Sequence, residues 1–188
     1  MELNLKRLIL VPASLDMLKS EIESTTKLAE KLDVQKPFDW PPPLNDEHSQ
    51  KYFLDYLNEH PDEPQWCLWY FIFRNQSDHK NILIGNGGFK GKPDAQGDVE
   101  IGYSIIELYQ QRGFASEAAA GLIDWAFKNE QVKSVSARTL VGLRPSIRVL
   151  EKNHFVLAGN TKEEGVIRFI LKRDNYFKIK NQGKEIDK

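Results

Sequence analysis

Cysteine is almost absent from this sequence, since Cys67 is the only one among 188 residues. A lone cysteine excludes a disulfide within the chain, and such scarcity is typical of proteins in the reducing cytoplasm. Cys67 lies in an apolar run, residues 66–73, which favours a buried core side chain over a nucleophile. We therefore expect a cytoplasmic protein whose chemistry does not involve its thiol.

Long hydrophobic runs and an excess of one charge are also missing. No segment approaches the roughly 20 apolar residues that span a bilayer, and residues 1–7 lack the apolar centre of a signal peptide. The 26 Lys and Arg residues nearly cancel the 27 Asp and Glu residues, which leaves a formal net charge of -1. Bulk attraction to polyanions is therefore not expected. We predict no nucleic-acid partner and no membrane attachment.

Metal-ligand spacing and hydrolase motifs are absent as well. The histidines do not fall at metal-ligand spacing with one another or with the cysteine; they are His48, His60, His79 and His154. The sequence contains neither Gly-x-Ser-x-Gly nor a Ser-His-Asp arrangement. The glycine-rich segment 85–88 precedes no helix and no Lys-Ser/Thr, so we interpret it as a bulged or closely approached strand. We predict no metal site.

The hydrophobic pattern alternates between the periods of strands and helices. It predicts strands at residues 5–11, 66–74, 82–89, 98–106, 135–139 and 166–171. It predicts helices at 15–28, capped by Ser14, at 46–60, opened by Asn45 or Asp46, and at 115–129 and 146–153. This order indicates the α/β (α+β) class. We expect one domain, residues 1–176, followed by a charged, mobile tail, residues 177–188.

The turn between residues 106 and 115 carries the most informative motif. It leads from a predicted strand into a predicted helix, whose first N–H groups lie at the positive end of the helix dipole. Gly113 lets the backbone approach a ligand closely, and Ala115 keeps the first helical turn narrow. Such a turn suits phosphate, so the residues by themselves predict an anion site here.

Four motifs in this order carry a family resemblance. The pattern Gln-x-x-Gly-x-Ala at residues 110–115 resembles the acyl-CoA pyrophosphate loop of the GCN5-related N-acetyltransferase (GNAT) family. The pair Arg7-Leu8, the segment Glu-Ile-Gly-Tyr at 100–103 and the segment Ser-x-x-Val-Leu-Glu-Lys-x-x-Phe at 146–155 are similar to its ribosomal-protein alanine acetyltransferase (RimJ/RimL-type) subgroup. The resemblance covers residues 5–171.

The resemblance implies both a fold and a cofactor site. It implies a mixed, centrally splayed sheet of about six to seven strands flanked by helices. The pantetheine arm of acetyl-CoA would enter the gap beside Ile105, and its pyrophosphate would meet the backbone N–H groups of Gln111, Arg112, Gly113, Phe114 and Ala115. Gln110 would contact phosphate or cap the turn. The Arg112 guanidinium would add charge or remain solvated.

The same resemblance suggests catalytic residues, each with a structural alternative. Glu100 would accept the proton of the amine directly or through water, or it is a structural carboxylate. Ser146 would contact the leaving sulfur or cap its helix. The family often has a tyrosine acid where this chain has Leu150, so Ser146, Tyr103 or water would have to protonate the thiolate.

Two further departures and one loop complete the comparison with the motif. Leu143 replaces a frequent asparagine, and His154 replaces a glycine. Phe38 and Trp40, in a proline-rich segment between two predicted helices, would roof the acceptor pocket together with Tyr103, or would only pack that loop onto the domain.

These observations lead to one functional prediction and one alternative. We predict an N-acetyltransferase that moves an acetyl group from acetyl-CoA to a primary amine by direct attack. The acceptor is a protein N-terminus or a small amine, with the former slightly favoured. The alternative is a catalytically weak module that binds acyl-CoA as a sensor or scaffold. The sequence leaves open whether the protein is a monomer or a homodimer.

Overall fold

The computed structural model describes residues 1–43, 45–75 and 80–186, with side chains as far as Gln182. His79 lies outside the described residues, as does most of segment 75–80, whose polar residues between two predicted strands predict a turn.

A single eight-stranded sheet forms the centre of the fold. Its strands are β1 (Leu3–Asn4), β2 (Leu8–Pro12), β3 (Leu68–Phe73), β4 (Ile82–Phe89), β5 (Asp98–Ile105), β6 (Ser134–Leu140), β7 (Val156–Asn160) and β8 (Val166–Lys172). Their spatial order is β1-β2-β3-β4-β5-β6-β8-β7. Among the strands of the described residues, β5 and β6 are the one parallel pair of neighbours. The predicted mixed α/β architecture is therefore confirmed.

The sheet has two strands more than the hydrophobic pattern predicted, and each was missed for a different reason. The predicted strand 5–11 corresponds to β2, and β1 precedes it as a separate short strand, because the chain turns between them, where the Leu5 N–H donates to the Leu8 carbonyl at 2.8 Å. Strand β7 was missed because its side chains are mostly exposed at the edge of the sheet. An edge strand of this kind shows no alternation between buried and exposed positions, so hydrophobic periodicity cannot reveal it.

Six helices cover the sheet: α1 (Leu15–Glu23), α2 (Thr25–Leu32), α3 (Glu47–Glu59), α4 (Phe114–Ala126), α5 (Arg144–Lys152) and α6 (Arg173–Ile186). Ser14 caps α1 by accepting from the Met17 N–H at 3.1 Å, and Asp46 caps α3. The single helix predicted over residues 15–28 is two helices, because Ser24 is extended and caps α2.

The helices divide between the two faces of the sheet. Glu21 of α1 accepts from the Tyr70 hydroxyl of β3, whereas the neighbouring Trp69 packs against Trp125 of α4 with ring centroids 5.6 Å apart. Because successive side chains of a strand point to opposite faces, these two contacts assign α1 to one face and α4 to the other.

The parallel strands β5 and β6 separate soon after they meet. They pair only where residues 98–100 face residues 134–136. Beyond Glu100 the strands diverge, which confirms the predicted central splay. Helices α4 and α5 follow the carboxyl ends of β5 and β6, and the carboxyl ends of parallel strands meet at one edge of a sheet. The gap therefore opens toward the starts of both helices.

The charged C-terminal segment contains helix α6. Residues 177–186, which composition had assigned to a tail, continue this helix. The rings of Tyr176 and Phe127 lie 4.7 Å apart, and Arg173 donates to the carbonyls of Asn129 and Val132 at 3.0 Å. Within the predicted tail, the Phe177 ring lies 6.3 Å from that of Phe127, and the Lys180 ammonium donates to Asp124 at 2.7 Å, so its first residues contact the domain.

Helix α5 ends in a Schellman motif, which explains why the family pattern has a glycine at the position of His154. The Phe155 N–H donates to the Leu150 carbonyl at 3.0 Å, and the His154 N–H donates to Glu151 at 2.9 Å. The motif requires a left-handed residue, and His154 has a φ of 64°. Glycine adopts this conformation without the steric cost that a Cβ brings.

We expect His154→Gly to stabilise the protein by about 1 kcal/mol, because it removes left-handed strain at the end of α5. Thermal unfolding should show a rise in Tm of roughly 2–4 °C for a domain of this size. His154→Ala keeps the strain and serves as the control. A Tm for the glycine variant no higher than that for the alanine variant would contradict the backbone explanation.

Candidate active site

The start of α4 is built as an anion cradle. Gly113 precedes the helix with a φ of 82°, and Gln111 is also left-handed, with a φ of 60°. Among the described residues no side chain caps this helix start. The N–H groups of Phe114, Ala115 and Ser116 therefore lack an intrahelical acceptor at the positive end of the dipole. This geometry suits a phosphate group.

Gln110 and Arg112 make structural contacts beside this cradle. The Gln110 amide donates to the Ile105 carbonyl at 2.9 Å and so caps the end of β5. That carbonyl already accepts one hydrogen bond, so a pantetheine arm would share it with the amide or meet another main-chain group. The exposed Arg112 guanidinium lies 5.2 Å from the centre of the Tyr109 ring.

Arg7, near the start of the sequence, contacts both the loop between β5 and α4 and the first turn of α4. Its Nε donates to Glu117 Oε2 at 2.7 Å, and its backbone N–H donates to Glu117 Oε1 at 2.6 Å. Its Nη1 donates to the Arg112 carbonyl at 2.9 Å. Sequence reasoning used Arg7 only as part of a motif, because no local pattern links it to residues more than a hundred positions away.

Glu100 lies at the fork of the splayed strands. It faces Ser136 as the last residue of β5 that pairs with β6. Its carboxylate accepts from Arg138 Nε through both oxygens at 3.0 Å and also binds the Lys90 ammonium. The side chain remains 23% exposed. Glu100 is thus a partly solvated carboxylate held between two cations.

A second carboxylate lies on the same face of β5. Asp98 accepts from the hydroxyls of Ser134 and Ser136 at 2.5 and 2.6 Å and from Arg168 Nη2 at 2.8 Å. These contacts cross from β5 to β6 and β8. They lock the register of the only three residue pairs between β5 and β6, so they fix where the gap begins.

Tyr103 and Glu100 lie on opposite faces of β5, because their positions differ by an odd number. The Tyr103 hydroxyl donates to the Ser146 carbonyl of α5 at 3.3 Å. Burial raises the pKa of Tyr103 to about 12, so its hydroxyl keeps its proton at neutral pH. The structure therefore brings Tyr103 together with Ser146 and separates both from Glu100.

The capping alternative for Ser146 is wrong. Helix α5 begins at Arg144, and its N-cap is Leu143, so Ser146 lies inside the first turn. The apolar N-cap side chain has no hydrogen-bonding group, which leaves the start of α5 without a side-chain cap in the described part of the chain.

Thr139 offers a hydroxyl that sequence reasoning missed. It is 7% exposed, and its Oγ1 has no hydrogen-bond partner among the described residues. If the register of β5 and β6 continued past Glu100, Thr139 would face Tyr103. Leu150, at the position of the family's tyrosine acid, is 1% exposed and packs in the core. Besides Ser146 of α5, the hydroxyl groups on this face therefore come from the strands.

A profile of the acetyltransferase (GNAT) domain matches residues 7–156. The chain belongs to the GNAT acetyltransferase family. The uncharacterized N-acetyltransferase YjdG of Bacillus subtilis is 30% identical over 112 residues, which are 60% of this chain and 64% of that protein. The chain thus covers less than two thirds of this curated relative. GNAT enzymes use acetyl-CoA.

Solved structures share the fold of this acetyltransferase. The ribosomal L7/L12 alpha-N-protein acetyltransferase RimL, in complex with coenzyme A, is 17% identical with a TM-score of 0.66 over 93% of this chain and 99% of that chain. The spermidine/spermine N-acetyltransferase SpeG from Vibrio cholerae is 16% identical with a TM-score of 0.62 over 93% and 98%. At these identities the likeness shows the fold alone.

Two absences hold for residues 1–43, 45–75 and 80–186. No group of three or more His, Cys, Asp or Glu side chains there could hold a metal ion. No helix in these ranges combines the length and the apolar character that crossing a membrane would take.

The structure separates the two aromatic residues of the proline-rich loop. Phe38 is fully exposed, whereas Trp40 is 5% exposed and belongs to the hydrophobic core. The Trp40 indole N–H donates to Glu21 Oε1 at 3.0 Å. Trp40 therefore packs the loop onto the domain, as the structural alternative held, and only Phe38 remains available to an acceptor.

The buried Glu21 carboxylate holds the proline-rich loop by accepting hydrogen bonds from more than one of its residues. It also accepts from the Asn45 amide at 2.8 Å and from the Tyr70 hydroxyl at 2.6 Å, and it is 2% exposed. Burial raises the pKa of Glu21 from an unfolded value near 4.5, although the three donors oppose this rise. Between the two pKa values the folded state binds more protons than the unfolded state.

We expect the free energy of unfolding of the wild type, relative to Glu21→Gln, to fall as pH rises above 4.5. The amide of the variant does not titrate. Only the wild type therefore loses, as pH rises, the stability that protonation of Glu21 contributes at low pH. Denaturant unfolding across pH 4–8 measures this difference. Glu23→Gln, on the exposed side of α1, should track the wild type. Parallel curves for the wild type and Glu21→Gln would contradict the prediction.

We expect Gly113→Ala to weaken CoA binding roughly tenfold or more, because its methyl group enters the cradle and strains the left-handed backbone. Gly91→Ala is a matched control in the turn between β4 and β5, away from the start of α4. The φ of Gly91 is 96°. A Cβ added to Gly91 would lie 3.4 Å from Tyr56, and a Cβ added to Gly113 would lie at the same distance from Arg7. Calorimetry with CoA measures both, and equal affinities would place the phosphates elsewhere.

Proposed function

We propose that this acetyltransferase moves the acetyl group of acetyl-CoA to the primary amine of a protein N-terminus by direct attack. The observation that carries the proposal is the gap between β5 and β6. An anion cradle lies at the start of α4 beside one side of the gap, and the Glu100 carboxylate lies at its fork. The thioester of acetyl-CoA and the acceptor amine would thus meet between the two strands.

The cradle fits the pyrophosphate of acetyl-CoA. The N–H groups of Gln111, Arg112, Gly113, Phe114 and Ala115 would hold it, because the helix start carries no side-chain cap among the described residues. The left-handed Gly113 supports this assignment, since the absence of a Cβ leaves room for close approach. Acetyl-CoA supplies the thioester as co-substrate.

Glu100 would act as the general base. An amine with a pKa near 10 is protonated at neutral pH and must lose a proton before its nitrogen can attack the thioester carbon. The Glu100 carboxylate would take that proton directly or through water. Arg138 and Lys90 hold the carboxylate in place, so the amine or water would share it with these cations.

The leaving thiolate would receive a proton from the opposite face of the gap. As the carbon–sulfur bond breaks, the Tyr103 hydroxyl would donate a hydrogen bond to the thiolate, because burial raises the pKa of Tyr103 to about 12 and keeps the group protonated, and a water on this face would supply the proton. Ser146 in the first turn of α5 would contact the sulfur. This arrangement compensates for Leu150, which has no proton to give.

The open surroundings of Glu100 favour a protein N-terminus over a small amine. Side chains around the carboxylate are roughly half exposed: Lys90 is 49%, Arg138 42% and Tyr52 41% exposed. Small ligands usually lose roughly 70–90% of their surface in a concave pocket, whereas a flexible chain end can bind across an open face. Phe38, fully exposed on its loop, would offer a further apolar contact.

A thiol-release assay with acetyl-CoA tests the acceptor class. We expect a higher kcat/KM for N-terminal peptides than for polyamines or free amino acids. A preference for polyamines would overturn the protein-N-terminus proposal but keep the acetyltransferase. Tight binding of acetyl-CoA without transfer to any amine would favour a binding module instead.

We expect Glu100→Gln to lower turnover by roughly 10²–10⁴-fold while CoA affinity stays near that of the wild type. The amide keeps the shape of the side chain but cannot take the proton of the amine. The loss should shrink at high pH, where the free amine needs no base. Steady-state kinetics across pH 6–10 measure this change.

Asp98→Asn provides the control for Glu100→Gln, because Asp98 is a second ion-paired carboxylate on the same face of β5. It should show no turnover defect that disappears at high pH. Wild-type turnover of Glu100→Gln at every pH would make Glu100 a structural residue.

A further inference from the structure

We propose that Arg7 is a positioning residue for the pyrophosphate of acyl-CoA and that it keeps Glu117 from repelling this anion. The inference rests on the proposed CoA site at the start of α4. It concerns a side chain that comes from the segment before β2, far from the loop in sequence.

Arg7 fixes the loop through three kinds of contact. Its Nη1 donates to the Arg112 carbonyl at 2.9 Å, which holds the peptide group immediately before Gly113. Its Nε and backbone N–H bind the two oxygens of Glu117. Its guanidinium carbon lies 4.4 Å from the centre of the Phe114 ring. The conformation of the cradle therefore depends on one side chain from outside it.

Glu117 is the acidic residue of the first turn of α4. A carboxylate there interacts favourably with the helix dipole, but it also opposes a second anion at the same helix start. The ion pair with Arg7 cancels this charge, and the Glu117 side chain is only 16% exposed, so solvent screens it incompletely. Arg7 thus preserves the positive potential that a pyrophosphate needs.

The guanidinium also lies within reach of a bound anion. Its Nη2 would lie 3.4 Å from a Cβ on Gly113, so it borders the space that the absent side chain leaves open. Arginine presents several N–H donors in a rigid fork, which lets one side hold Glu117 and Arg112 while another faces a phosphate. A lysine at this position would keep the positive charge, but it lacks the rigid fork that holds Glu117 and Arg112 on one side and faces a phosphate on the other.

We expect Arg7→Ala to weaken CoA binding by about 10- to 100-fold in calorimetry, the effect of losing charged hydrogen bonds. Binding of pantetheine, which has no pyrophosphate, should stay unchanged. Arg7→Lys should fall between Arg7→Ala and the wild type. Glu117→Gln keeps an acceptor for Arg7 but removes the negative charge, so CoA affinity should stay equal or increase.

The double variant Arg7→Ala with Glu117→Ala separates electrostatics from structure. If the unpaired carboxylate repels the pyrophosphate, the double variant should bind CoA more tightly than Arg7→Ala alone, and the loss in Arg7→Ala should be smaller at high salt. A residue with only a structural role would lower the Tm and weaken CoA and pantetheine alike. That outcome would overturn the proposal.

Lys92→Ala is the control. Lys92 also pairs with a carboxylate, Glu63, with side-chain exposures of 52% and 29%, compared with 39% and 16% for Arg7 and Glu117, but it lies in the turn between β4 and β5. It should leave CoA affinity unchanged. Equal affinity of wild type and Arg7→Ala for CoA would refute the role of Arg7. If the wild type binds CoA but transfers no acetyl group, the proposed function fails while these binding measurements still decide the role of Arg7.

Discussion

The separation of β5 from β6 is the constraint on which the site depends. Two parallel strands pair for three residues and then part, so that beyond Glu100 no further pair between them is formed among the described residues. Hydroxyl bonds from Ser134 and Ser136 to Asp98 hold the paired end together. The same opening lets a substrate arm lie between the strands and gives its two sides different chemistry, with Glu100 on one face and Tyr103 on the other.

Charge is balanced locally throughout the site, although the whole chain is nearly neutral. Each of its carboxylates is paired with arginine: Glu117 with Arg7, Asp98 with Arg168, and Glu100 with Arg138. Paired charges favour a fixed geometry over a strong net field, so the start of α4 keeps the positive potential of its dipole. This local balance would let a protein with a net charge of -1 hold the anionic co-substrate proposed for it.

Much of the fold could be predicted, because local chemistry decides it. Ser14 and Asp46 cap the helices that they were expected to cap. The glycine-rich strand β4 is closely approached, as the pattern indicated: a Cβ on Gly87 would lie 2.5 Å from the Gly102 carbonyl. Helix α6 and strand β7 escaped prediction, since a few docked aromatic rings and a position at the edge of the sheet leave no periodic signal.

The sequence by itself determined the family, most of the helix and strand order and the glycine turn before α4, because these depend on residues within a few positions of one another. Only the tertiary structure decided which side chains share a face. It joined Arg7 to Glu117, placed Arg138 on Glu100, buried Trp40 and brought Tyr103 to Ser146. Such contacts connect residues distant in sequence, and strand pairing and sheet register, which no local pattern encodes, bring them together.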